Sequence, residues 1–178
     1  MKKQHCPHHM ENFHTGKSFL FFCFAFAKIY CIKFISKSMT KYILNSGNAK
    51  YYPEKEKASI KETLLGLGDD VKVLYCFFSQ PREDWETKYE KYKKGFLRAA
   101  DKNVRLTFKL AFPDTFEDQV KSSDVIWIAG GDDHLIKYWL EKFDVPKIWD
   151  GKIVAASSAG SNALASSFWT CDWRECMK

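Results

Sequence analysis

Histidine is scarce where most of this sequence lies. Four of the five, His5, His8, His9 and His14, precede residue 15, and His134 alone falls within residues 39–178. That excludes a histidine-built metal centre from the larger part of the chain. Long apolar runs are also missing. The longest, Phe19-Leu20-Phe21-Phe22-Cys23-Phe24-Ala25-Phe26-Ala27, has nine residues, and Lys28 and Lys33 interrupt its extension. A membrane-spanning helix needs about 20 apolar residues, so stable membrane insertion is not expected. The six cysteines, Cys6, Cys23, Cys31, Cys76, Cys171 and Cys176, contain no Cys-x-x-Cys pair. A chain this long, with a core to match, needs no staples, and reduced intracellular thiols are expected. Excess charge is missing from the bulk as well. Residues 1–38 hold six lysines and one glutamate, which leaves only +1 of the net +6 for the other 140 residues. Nucleic-acid binding requires a basic face and is not expected of that part. There is no internal repeat.

Residues 1–38 differ from the rest and are read as an atypical extension, with the ordered domain running over 39–178; whether Met1 or Met39 is the true start stays open between an appended segment and an upstream translation artefact. Cys6, His8 and His9 lie close together, but their spacing fits no standard zinc pattern. No metal and no cofactor is expected. Phe19–Ala27 has the length of a signal-peptide core, with Lys2, Lys3 and Lys17 ahead of it. The leading stretch is long for that role and contains Glu11 and histidines. A cytoplasmic location is therefore expected, with export the weaker option.

From Met39 the pattern is regular. Lys41–Leu44 reads as a strand ending in the turn residues Asn45, Ser46, Gly47 and Asn48. Pro53 opens a helix over Glu54–Leu67, closed by Gly66 and Gly68. Val71–Phe78 is a buried-strand run. Pro81 opens a long helix whose Trp85, Tyr89, Tyr92 and Phe96 recur at helical spacing, a stripe better read as core than as a binding face. Val104–Ala111 is a third strand, Phe116–Val120 a short amphipathic piece, and Val125–Ala129 a fourth strand ending at Gly130-Gly131. A helix carrying Leu135, Ile136, Trp139, Leu140 and Phe143 follows, and Ile153–Ala156 is the fifth strand. Strands alternating with helices predict an α/β three-layer sandwich with a mainly parallel, doubly wound sheet.

The richest stretch is Lys152-Ile153-Val154-Ala155-Ala156-Ser157-Ser158-Ala159-Gly160-Ser161-Asn162. It runs from a strand through small residues into a helix-like segment. Two readings of Ser158 stand level on these residues alone. One is an ordinary connection whose serine caps the helix. The other is a nucleophile turn, where backbone N–H groups favour developing negative charge. In parallel sheets, ligands gather beyond the carboxyl ends of the strands. The loop Ala129-Gly130-Gly131-Asp132-Asp133-His134 ends the preceding strand at that same edge, and paired glycines can turn N–H groups inward.

Together these two segments resemble the peptidase E and cyanophycinase group, the S51 serine peptidases. The family's markers are a Gly-Gly-(Asn/Asp) loop after one strand and a Gly-x-Ser-Ala-Gly turn after the next. Here they read Ile128-Ala129-Gly130-Gly131-Asp132 and Ala156-Ser157-Ser158-Ala159-Gly160, with Ala156 replacing the first glycine. Asn162, Lys41–Leu44 and Asp124–Ile126 are similar too. The resemblance implies a class I glutamine amidotransferase-like, flavodoxin-like fold. It implies Ser158 as nucleophile and an oxyanion hole at Gly131 and the Ala159 N–H, with Gly130 supporting the loop. It implies an acidic residue near Asp172, with Glu175 competing. The implied activity is serine-type hydrolysis of short peptides, those with an amino-terminal aspartate or the aspartate-arginine polymer cyanophycin. Arg82 and Arg105 are candidates for reading the acidic group, though each is better read as surface charge. A short peptide and a second copy of the chain are the partners considered.

The family histidine lies a few dozen residues beyond the serine, and Lys178 comes first. His134 is better read as a polar residue at a helix start than as the base. The expectation is a C-terminally incomplete peptidase-family product. Its alternatives are a catalytically inactive relative or small-ligand binder using the same pocket, and an α/β-hydrolase-type esterase, which also uses a serine elbow. Glutamine hydrolysis would call for cysteine at position 158.

Overall fold

The apolar runs that alternate with amphipathic stretches form five strands and five helices in a computed structural model, which describes residues 39–47 and 52–168. The strands are β1 (Lys41–Asn45), β2 (Asp70–Cys76), β3 (Arg105–Leu110), β4 (Val125–Ile128) and β5 (Ile153–Ser157). The helices are α1 (Pro53–Leu64), α2 (Trp85–Ala99), α3 (Phe116–Lys121), α4 (Asp133–Leu140) and α5 (Ala159–Asn162). Pro53 supplies the pre-set φ that starts α1. Gly66, at φ +86°, lies just beyond its end. That helix stops three residues short of the expected Leu67. β2 likewise ends at Cys76 rather than Phe78, because the chain turns there and Gln80 N donates to Phe77 O at 2.8 Å.

Every pairing is parallel, and the order is β1-β5-β4-β2-β3. Right-handed crossovers then decide the layers. The steps β1 to β2 and β2 to β3 run one way across the sheet, which puts α1 and α2 on one face. The steps β3 to β4 and β4 to β5 run back, which puts α3 and α4 on the other. The two faces of β2 show the result. Tyr75 packs toward α2, its ring centroid 5.9 Å from Tyr89, 6.2 Å from Tyr92 and 6.3 Å from Phe96. Phe78, just past the strand, meets Phe116 at 5.0 Å, Trp139 at 5.9 Å and Phe143 at 6.5 Å. The three-layer α/β sandwich is therefore as the sequence indicates.

The aromatic stripe of α2 is largely core. Trp85 and Phe96 are buried, while Tyr89 and Tyr92 are half-buried against them. The central strand β4 is apolar and buried throughout, and β5 is apolar and buried as far as Ala156. Their register sets Ile128 beside Ala156, and β1 sets Asn45 beside Ser157. The carboxyl ends of three neighbouring strands thus finish level, and the loops that follow them meet. Among the described residues, no helix is long and apolar enough to cross a membrane. Residues 1–38, with Cys6, His8, His9 and the Phe19–Ala27 run, lie outside the described residues, as do Asp172 and Glu175.

Candidate functional site

Ser158 stands at the point where β5 gives way to α5, and its backbone has φ 52° and ψ −123°. It is the only non-glycine residue with positive φ among the described residues. A serine held there carries strain of order 1–3 kcal/mol, which persists only where the surroundings impose it. The imposing contacts are visible. Ser158 N donates to Asn45 O at 3.0 Å, and Ser161 Oγ donates to the same oxygen at 2.8 Å. Asn45 Oδ1 also accepts from Gly47 N at 3.0 Å, folding the β1 loop onto the serine. A Cβ on Gly47 would lie 2.9 Å from Ser158 Cβ. Gly160 presses α5 against the end of β4, where a Cβ would meet Ile128 O at 2.7 Å.

The capping reading fails here. Ser158 occupies the N-cap position of α5, yet its side chain makes no capping hydrogen bond. The Oγ is exposed, and no described residue hydrogen-bonds to it. What remains is an exposed serine at a positive-φ strand-to-helix turn.

The Gly130-Gly131 loop comes in from β4. Gly130 packs directly beside Ser158, and Gly131 packs against Ser79 O with no room for a side chain. Two residues of the β2 loop fix this arrangement. The single O–H of Ser79 is shared between Ala129 O and Gly130 O, each 2.9 Å from Oγ, and Gln80 Nε2 also donates to Gly130 O. Asp132 N returns a bond to Ser79 O at 2.8 Å. Gln80 is itself held by Lys88 Nζ through its Oε1 and by Trp85 Nε1 through its backbone oxygen. With the loop carbonyls occupied, the backbone N–H groups of Gly131 and Ala159 remain without partners among the described residues. Unpaired backbone N–H groups in loops that meet at a serine are the kind of donor an oxyanion needs.

The acid–base partner is not assembled. His134 lies exposed in the first turn of α4. What joins α4 to α5 is a different bond, from Asn162 Nδ2 to Asp133 Oδ1 at 3.0 Å. Arg82 pairs with Glu86 at 2.8 Å and lies over the Trp85 ring, and Arg105 pairs with Asp70 at 2.7 Å on the outer strand. Both are committed to surface pairs, as their sequence context indicates. Cys76 lies buried in β2, and burial pushes its thiol up to about 12, so it stays protonated and inert at neutral pH. No group of three or more metal-ligating side chains occurs among the described residues. Ser79, Gln80 and Asn45 are the parts that sequence reasoning missed. Asn45 was legible only as a turn residue.

No protein-family model and no curated protein matches this chain. Solved structures do. The chain is similar to a provisionally assigned peptidase E protein from Listeria monocytogenes EGD-e, at 17% identity and a TM-score of 0.50, over 68% of this chain and 60% of that one. It is similar to a peptidase from an acI-B1 Actinobacterium at 25% identity and a TM-score of 0.49, over 74% of this chain and 59% of that one. The chain spans about three-fifths of the length of both. The Listeria likeness shows a shared fold, the α/β architecture that the two motifs imply.

Proposed function

We propose that the Ser158 turn is the acyl-transfer site of a serine-type peptidase acting on short peptides. The observation that carries this reading is the strained backbone of Ser158, which holds an unbonded Oγ against Gly130, with the N–H groups of the adjacent Gly131 and Ala159 unpaired among the described residues. In the proposed reaction Ser158 Oγ attacks a peptide carbonyl and a base takes its proton. The carbonyl oxygen gathers charge between the two N–H groups, and the protonated base then releases the amine. Water repeats the sequence to free the acid. The resemblance to peptidase E supports peptides with an amino-terminal aspartate as substrates, and Asp172 as the acid that orients the base.

One observation favours a second reading. A serine hydroxyl is a poor nucleophile until a base takes its proton, and no described residue hydrogen-bonds to Ser158 Oγ. On this reading the same turn and oxyanion groups bind a carbonyl or carboxylate without turnover. Incubating the purified chain with aspartyl dipeptides and following amino-acid release by mass spectrometry separates the two. The peptidase reading expects release that falls at least about a thousandfold in Ser158→Ala. Binding of the same dipeptides without release supports the second reading and overturns the first.

A further inference from the structure

The oxygen of Gly130 and the N–H of Gly131 belong to one peptide unit. A trans peptide points its C=O and its N–H in opposite directions, so whatever holds the oxygen also aims the hydrogen. With a glycine on each side, this unit has no Cβ to resist rotation. Flipped, it would turn a carbonyl to where the Gly131 N–H now lies unpaired among the described residues. A carbonyl repels an oxyanion instead of binding it. The orientation must therefore be set from outside the two glycines.

Two side chains reach Gly130 O, and they are not equivalent. Ser79 has one O–H to divide between Ala129 O and Gly130 O. Gln80 Nε2 bonds to Gly130 O alone among the described residues. The Gln80 amide is itself oriented. Lys88 Nζ can only donate, so it takes Oε1 and leaves Nε2 to face the carbonyl. Lys88 is half-buried and anchored to Asp84 at 2.9 Å. The Gln80 backbone is pinned as well, its N–H on Phe77 O at 2.8 Å and its oxygen on Trp85 Nε1 at 2.9 Å. The relay from Lys88 through Gln80 to Gly130 thus begins with a charge on α2 and ends on a peptide plane. A cation on the amide oxygen strengthens the bond that the amide N–H donates.

We propose that Gln80, backed by Lys88, is a positioning residue. It locks the Gly130–Gly131 peptide with the Gly131 N–H turned away from Gln80 and free to donate to a developing oxyanion. The lock stands on the bonds to Gly130 O alone, while its use in catalysis rests on the peptidase reading.

The test combines NMR of the full chain with fluorophosphonate labelling of Ser158. Gly130-Gly131 is the one Gly-Gly step in the sequence. Glycine labelled with ¹³C at the carbonyl and with ¹⁵N therefore gives a single carbonyl-to-amide correlation, which reports Gly130 C=O and Gly131 N–H together. Gln80→Glu keeps an acceptor for Lys88 but puts an oxygen where Gly130 O needs a donor. The proposal expects that correlation to move and labelling to slow about tenfold or more, with the melting curve unshifted. Should Gln80→Glu fail to fold, Gln80→Met, of similar shape and uncharged, takes its place with the same expectation. Lys88→Met should slow labelling in part, and Lys88→Arg should restore most of that loss. A correlation unmoved in the Gln80 variant overturns the lock, whether or not the chain takes label. A moved correlation with labelling at the full rate overturns the positioning role and leaves the peptidase reading standing. Absence of label on the unsubstituted chain counts against the peptidase reading, and the moved correlation then still supports the lock.

Discussion

A Cβ placed on Gly130 would stand 2.8 Å from the Cβ of Ser158 and 2.9 Å from the backbone oxygen of Ser157. The glycine and the serine are therefore packed as a pair, and neither loop can settle without the other. Gly130→Ala must push the Ser158 turn or the β4 loop aside. The expected cost is about 1–3 kcal/mol, read as a lower urea midpoint with an unchanged slope. Reactivity of Ser158 toward serine-directed reagents should fall with it.

Strain at Ser158 has its own signature. Glycine accepts positive φ, whereas alanine suffers as serine does. Ser158→Gly should exceed Ser158→Ala in stability by about 1 kcal/mol, after allowance for the added freedom of glycine in the unfolded chain. For a chain of this size that is roughly 2–4 °C in melting temperature. Equal melting temperatures would mean that the turn is relaxed.

How much of this was legible beforehand follows from what each feature depends on. Strand and helix periods are local, so the runs around Tyr75, Trp127 and Val154 reveal the α/β class unaided. Strand order is non-local, and nothing in Lys41–Leu44 says that β1 lies beside β5. The same holds for Ser79 and Gln80, which read as an ordinary turn until the fold carries them to Gly130. Ser158 had two readings because a capping serine and a nucleophile are the same residue type, and only its φ separates them. The α2 stripe was read as core. Trp85 and Phe96 bear that out, while Tyr89 and Tyr92 are only partly buried against the core.

Ser79→Ala tests the buttress. Its hydroxyl is buried and serves two carbonyls, so removal leaves both less well satisfied. A loss of about 1–3 kcal/mol is expected, with faster hydrogen exchange at Asp132, whose N–H donates to Ser79 O. Exchange unchanged at that amide would show that Gln80 suffices alone.

Alkaline stability reports on Cys76. Burial raises its folded pKa from an ordinary 9 to about 12, favouring the neutral thiol. The associated stability is fully present below the unfolded value. It is lost as pH rises from about 9 toward 12, because only the unfolded thiol ionises in that window. Burial likewise raises Tyr75, adding to the decline above about 10. Urea denaturation at pH 8, 9 and 10 should show falling stability, and Cys76→Ala should flatten the first part of the slope. A slope identical in Cys76→Ala would remove the thiol from the account.

The most direct measurement is covalent labelling by a fluorophosphonate, with the modified residue located by peptide mass spectrometry. The strained turn and its free N–H groups should place the label on Ser158 and leave its neighbours Ser157 and Ser161 unmodified, and labelling should disappear in Ser158→Ala. A folded chain that takes up no label, or takes it equally at Ser157 or Ser161, contradicts the assignment of Ser158 as the nucleophile.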